Sequence, residues 1–105
     1  MKCFVINPAE KGITAQELPD GIAGIRKLIG FDSVDSDEIN NAGDRLFFDE
    51  SCFLRDNPAA GRFQLDTLAP VAGIGVIVGT EQSAGVFGAP SLTLEAILGR
   101  VKFLA

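Results

Sequence analysis

The most hydrophobic part of the chain, residues 71–80 (VAGIGVIVGT), has the pattern of a buried strand. It carries no charge, holds five β-branched Val and Ile residues, and lies between a proline and a polar segment. Alternation along a strand gives two faces, Ala72, Ile74, Val76, Val78 and Thr80 on one, and Val71, Gly73, Gly75, Ile77 and Gly79 on the other. The three glycines leave the second face almost bare, so we expect a helix of the chain to cover it. A ligand, or a second copy of the chain in a homodimer, is the alternative.

Two stretches show helical spacing. Ile22, Ile25, Leu28 and Ile29 form one apolar stripe, after Asp20 as an N-cap and before Gly30 as a stop signal. Near the C-terminus, Ser91 or Thr93 is the expected cap of a second helix. Its apolar stripe is Leu94, Ile97, Leu98 and Val101. We expect both helices to cover the same sheet face.

Short apolar or alternating runs predict the other strands, at residues 2–6, 13–18, 31–39, 45–48 and 62–65. Residues 51–61 and 82–90 are predicted loops, and Phe53 and Leu54 are expected to point inward from the first of them. The prediction is a single small α+β domain over residues 1–105. It has a mostly antiparallel sheet of five or six strands, a short helix after strand 2 and a C-terminal helix.

Residue usage excludes several kinds of chemistry. The 105 residues include no histidine, which excludes Ser-His-Asp and Cys-His catalysis. Two cysteines without histidine cannot complete a tetrahedral zinc site, so we expect no metal and no cofactor. Cys3, within a predicted strand, is expected to be a core residue. Only four apolar residues follow Met1-Lys2, too few for the apolar part of a signal peptide, and no run reaches about 20 apolar residues. We therefore expect a cytoplasmic protein without a membrane span.

The charge is −5 and is concentrated in residues 32–50, which hold seven acids and one arginine. This balance argues against direct nucleic-acid binding, which needs Lys and Arg for the phosphates. A solvated face is the simplest interpretation. The alternatives are a DNA mimic and a surface that meets a basic protein partner. The residues of that partner surface would be Asp35, Asp37, Glu38, Asp49 and Glu50.

Arginines around the turn at residues 55–62 suggest a ligand site. Asn57 with Pro58 is a turn signal, and Arg55 and Arg62 flank it. Two guanidinium groups near a polar turn suit a phosphate or carboxylate, so Arg55, Asn57 and Arg62 are the predicted residues for a small anionic ligand. The alternative is an enzyme without histidine that uses Asp49, Glu50 and Arg62 in one pocket. We expect no catalytic residues, and a non-enzymatic binding or regulatory module.

Six short motifs run along nearly the whole chain, namely Asn7-Pro8, Leu28-Ile29-Gly30, Asp49-Glu50, Asn57-Pro58 with Ala60, Val76-Ile77-Val78-Gly79 and Leu92-Thr93. In this order they resemble a small family of domains of unknown function from phages, plasmids and bacterial genomes. The chain departs from that family at Phe31, where a second glycine is usual, and at Ser51-Cys52, which replace a glycine. The resemblance implies an accessory protein of a mobile element and no established activity.

Overall fold

Three antiparallel sheets and two short helices make up the structure, a computed structural model that describes residues 2–18, 21–54 and 60–104. In chain order the elements are β1 (Lys2–Asn7), β2 (Gly12–Glu17), α1 (Gly21–Ile29), β3 (Val34–Glu38), β4 (Arg45–Asp49), a 3₁₀ turn (Cys52–Leu54), β5 (Arg62–Leu65), β6 (Val71–Ala72), β7 (Gly75–Val78), β8 (Glu81–Ser83), β9 (Val86–Phe87), α2 (Leu94–Leu98) and β10 (Val101–Leu104). The α+β class and the antiparallel pairing are confirmed. The prediction of one sheet with five or six strands is wrong.

The centre of the largest sheet is β7, in the strand order β2-β1-β7-β4-β3. Its residues Val76, Ile77 and Val78 are fully buried, which confirms the buried strand that their pattern predicts. The strand does not extend over residues 71–80, however. Gly73 has a φ of +87°, which turns the chain there, and β6 before it belongs to a second sheet, β10-β5-β6.

Each face of the five-stranded sheet has its own core. On one face, α1 packs its predicted stripe, with Ile25 and Ile29 buried, against Cys3 and Val76. Cys3 is fully buried as predicted, and burial raises the pKa of its thiol. The opposite core is closed by the second sheet and α2 and is made of Phe4, Ile6, Ile39, Leu46, Phe63, Leu65, Val71, Ile77 and Ile97.

The bare face of the 71–80 segment is covered by the second sheet at Gly75 and by a loop at Gly79, and is open at Gly73, so the prediction of a covering helix is wrong. A Cβ at Gly75 would lie 2.6 Å from Cζ of Phe63 in β5, and one at Gly79 would meet the backbone of residues 88 and 89. Helix α1 packs on the other face, where Val76 and Val78 lie. A phenylalanine ring fills the space above a glycine as well as a helix would, and the sequence pattern does not distinguish the two.

The C-terminal segment forms a strand where a longer helix is predicted. The cap at Thr93 is confirmed, because its hydroxyl oxygen accepts from the N–H of Ala96 at 3.2 Å. Helix α2 ends at Leu98, and β10 pairs with β5. Val101 fits the spacing of a helical stripe, but it packs in the core beneath the second sheet, and its strand pairs with β5. These tertiary contacts outweigh the local helical pattern. The two helices lie on opposite faces of the five-stranded sheet, so the prediction that both cover the same face is wrong.

Two loop predictions also change. Residues 82–90 are not a simple loop, since β8 and β9 form a two-stranded hairpin there. Phe53 and Leu54 are 58% and 88% exposed, so the prediction that they point inward is wrong. The 3₁₀ turn that holds them leaves both side chains on the outer surface.

A bidentate ion pair joins the end of β5 to the turn before β10. Nε of Arg100 donates to both carboxylate oxygens of Asp66, at 3.1 and 2.9 Å, and its Nη2 donates to the carbonyl oxygen of Ile39 at 2.7 Å. These hydrogen bonds from Arg100 lower the pKa of Asp66. The pair fixes the second sheet to the strand end at Ile39, beside the turn that leads into β4.

Candidate functional site

A cleft of about 600 Å³ opens on the α1 side of the five-stranded sheet, between the edge of the sheet and the β8–β9 hairpin. We call it the Arg45 cleft. Its polar lining is Ser36, Glu38, Arg45, Thr80 and Glu81. Its size is that of small-molecule sites in proteins, about 300–1,000 Å³.

The floor of the Arg45 cleft is set by the register of β3 on β4. Ser36 lies opposite Phe47, and Glu38 opposite Arg45. Alternate residues of a strand share a face, so these four side chains project from the same side of the sheet. Asp35 and Asp37 project from the other side.

Arg45 is the cation of the cleft. It is half-buried, and its Nε donates to Oγ of Ser36 at 3.0 Å. Within residues 2–18, 21–54 and 60–104 its guanidinium group forms no ion pair. A guanidinium group carries five N–H donors in a planar fork, so most of its donors stay available to a molecule in the cleft.

The hairpin side of the cleft is held by two hydrogen bonds. Oε2 of Glu81 accepts from the N–H of Gly85 at 3.0 Å, within the hairpin. Thr80 donates its hydroxyl to the carbonyl oxygen of Ala42 at 3.0 Å, which joins the hairpin to the turn before β4. The two bonds hold the hairpin and the turn before β4 together at the cleft.

The remaining wall of the cleft is apolar. It consists of Phe47, Phe87 and Ile22, and the two rings pack edge to face with centroids 5.2 Å apart. The N–H of Ile22, at the start of α1, donates to the carbonyl oxygen of Gly85 at 2.9 Å. The hairpin turn is thereby fixed to the helix.

Next to Arg45, a buried carboxylate holds the turn that precedes β4. Asp44 is 1% exposed and accepts from the backbone N–H of Ser91 and of Leu92, at 2.9–3.0 Å. The hydroxyl of Ser91 and the side-chain amide of Asn40 also donate to it, at 3.0 and 3.2 Å. Asp44 therefore fixes the position from which β4 and Arg45 begin.

The predicted ligand residues do not take part in the Arg45 cleft. Arg55 and Asn57 lie outside the described residues. Arg62 is exposed at the start of β5, in the second sheet. The ligand prediction at this turn is therefore untested, and the cleft is a second and independent candidate.

The three residues of the predicted enzyme are not brought together. Asp49 is 3% exposed on the α1 side of the sheet, and its Oδ1 accepts from the N–H of Ser51 at 3.1 Å. Glu50 follows it on the surface, whereas Arg62 belongs to the sheet packed on the opposite side. Among the described residues, Asp49, Glu50 and Arg62 therefore do not share a pocket in which two carboxylates and an arginine could act together.

The predicted acidic partner surface is divided between two faces. Asp35, Asp37 and Glu38 lie on β3, an edge strand, where charge opposes pairing with another sheet. Glu38 alone of the five predicted residues lines the Arg45 cleft.

Sequence reasoning missed four residues of the cleft, Arg45, Ser36, Thr80 and Glu81. The sequence signal for Arg45 and Ser36 was the pairing of residues 34–38 with residues 45–49, which places both side chains on one face of the sheet.

The described residues contain no group of three or more Cys, Asp and Glu side chains that could hold a metal ion. None of the helices in this part of the chain is long and apolar enough to span a membrane.

The chain was compared with protein-family models, with curated proteins and with solved structures, and none of them matches it. The resemblance to the phage and plasmid domains therefore stays a prediction.

Proposed function

We propose that this is a non-enzymatic binding protein that holds a small ligand by an anionic group, a carboxylate or a phosphate, at Arg45. The observation that carries the proposal is a half-buried arginine that lines a cleft and forms no ion pair within the described residues. Removing an arginine from water is costly unless it gains charged or hydrogen-bonding partners. An anion in the cleft would supply them.

The orientation of Arg45 supports the same function. Ser36 accepts from Nε and so fixes the plane of the guanidinium group. The two terminal nitrogens can then form paired hydrogen bonds with a carboxylate or phosphate. Because the side chain is already placed, less conformational entropy is lost on binding.

The surroundings of Arg45 favour binding over catalysis. The carboxylates of the cleft are Glu38 and Glu81, both exposed, and Oε2 of Glu81 is engaged by the hairpin backbone. Neither is a desolvated acid of the kind that general acid catalysis needs. A binding or regulatory role also agrees with the accessory protein that the sequence resemblance implies.

We expect Arg45→Gln to abolish ligand binding at the cleft. The test is a thermal-shift measurement with succinate, inorganic phosphate, adenosine monophosphate and L-phenylalanine. A ligand at a hundred times its Kd stabilises a protein by about 2.7 kcal/mol. At least one probe should raise the Tm of the wild-type protein, and Arg45→Gln should lose that rise.

Arg62→Gln is the matched control, because it removes the same charge from the second sheet. It should keep the response, and the unliganded Tm of both variants should show that they fold. The proposal is contradicted if no probe raises the Tm. It is also contradicted if Arg62→Gln loses the response while Arg45→Gln keeps it, which would place the ligand at the turn of residues 55–62.

A further inference from the structure

We infer that the ligand of the Arg45 cleft is a zwitterion with an apolar side group. Its chemical class is a free α-amino acid or a short peptide with free termini. This inference rests on the proposed function. To the anionic group of the ligand it adds an ammonium group and an apolar side group.

The charges of the cleft lining point to a ligand of both signs. One cation, Arg45, stands with two anions, Glu38 and Glu81. Glu38 is the direct cross-strand neighbour of Arg45, yet within the described residues Arg45 forms no ion pair with it. The lining therefore presents separate positive and negative groups, with an excess of negative charge that a purely anionic ligand would meet unfavourably.

Glu81 is the residue best placed to bind an ammonium group. Its Oε2 is held by the N–H of Gly85, and its other carboxylate oxygen has no hydrogen-bond partner among the described residues. It belongs to the hairpin, whereas Arg45 belongs to β4, and both line the cleft. An ammonium group offers three donors to such an oxygen, and a charge-assisted hydrogen bond results.

The apolar wall accounts for the side group of the ligand. Phe47 and Phe87, which are 7% and 5% exposed, and the half-buried Ile22 pack together and line the cleft beside the charged groups. A volume of about 600 Å³ admits a single amino acid and also a short peptide. Both lengths share one chemistry, an ammonium group, a carboxylate and an apolar side chain.

Isothermal titration calorimetry with blocked ligands tests the inference. The probes are L-phenylalanine and L-leucyl-L-phenylalanine, each also with an acetylated amino group and with an amidated carboxyl group. We expect at least one of the two zwitterions to bind, and either block to weaken it by about tenfold or more, a difference of about 1.4 kcal/mol. Glu81→Gln should weaken the zwitterion by a similar factor. It should not weaken the acetylated form, which has no ammonium group and meets one negative charge fewer, and glutamine keeps an oxygen for Gly85.

Glu95→Gln is the control, since it removes an exposed carboxylate from α2 on the other side of the sheet. It should leave every affinity unchanged. If the acetylated probe binds as tightly as the zwitterion and still requires Arg45, the zwitterion is wrong and the anion-binding function stands. If neither zwitterion binds, the inference fails, and the phosphate and succinate responses then decide separately whether the proposed function holds.

Discussion

Asp44→Ala is expected to lower the free energy of unfolding by about 3 kcal/mol. The carboxylate is 1% exposed and accepts from two backbone N–H groups, one hydroxyl and one side-chain amide. Alanine removes the acceptor of the N–H groups of Ser91 and Leu92, and a hydrogen bond to a charged group contributes about 1.5–3 kcal/mol. Urea denaturation monitored by circular dichroism measures the change.

Asp32→Ala is the matched control for this prediction. Asp32 is an exposed acid on the loop before β3, so the control makes the same change in net charge. Its free energy of unfolding should stay within about 0.5 kcal/mol of wild type. An Asp44→Ala protein as stable as Asp32→Ala would show that Asp44 does not hold residues 91 and 92 in place.

Gly79→Ala is expected to destabilise the fold by about 3 kcal/mol, at the upper end of the usual cost of overpacking. A Cβ there would overlap the carbonyl group of Ala89 and lie 2.8 Å from the carbonyl oxygen of Gly88. These are backbone atoms of a hydrogen-bonded segment. The N–H of Gly79 donates to the carbonyl oxygen of Gly88 at 2.8 Å, and the N–H of Gly88 donates to the carbonyl oxygen of Thr80 at 2.9 Å. The backbone cannot move away without breaking the pairing that leads into the hairpin.

Gly99→Ala separates this close approach from the general effect of replacing glycine. Gly99 has a φ of −74°, and a Cβ there would make only an ordinary contact, 3.7 Å from the carbonyl oxygen of Ala96. We expect a change within about 0.5 kcal/mol, because alanine also restricts the unfolded chain. Equal effects at positions 79 and 99, measured by the same urea denaturation, would contradict the packing at Gly79.

Local patterns predicted much of the fold. The spacing of Ile22, Ile25 and Ile29 predicted α1, and the uncharged run rich in Val and Ile at residues 71–80 predicted a buried strand, which the structure has at residues 75–78. Thr93 was one of two predicted caps and is the cap in the structure. These features depend on residues close together in sequence, which a pattern of period 3.6 or 2 can reveal.

Contacts between distant segments could not be predicted in the same way. Val101 continues a helical stripe, but its strand pairs with β5, more than 30 residues earlier. Gly75 indicates that something lies close by, and the pattern does not identify it as Phe63. The effect of tertiary pairing on a short helix exceeds that of local propensity.

The candidate site was missed for the same reason. Asp44 and Glu38 belonged to an acidic run whose simplest interpretation was a solvated face, although one is buried and the other lines a cleft. Arg45 was seen only as a residue of a strand. Its function depends on Ser36, nine residues earlier, and on Glu81, 36 residues later, which only the folded chain brings to one opening.

The most direct test of the Arg45 cleft is an NMR titration that follows the Nε–H signal of Arg45. The titrants are L-phenylalanine and inorganic phosphate, which carry the two kinds of anionic group. We expect at least one of them to shift this signal in a saturable manner, together with the amide signals of Ser36, Thr80 and Glu81. Shifts confined to residues 55–62, or no saturable shift at Arg45 with either titrant, would contradict the assignment of the cleft as the ligand site.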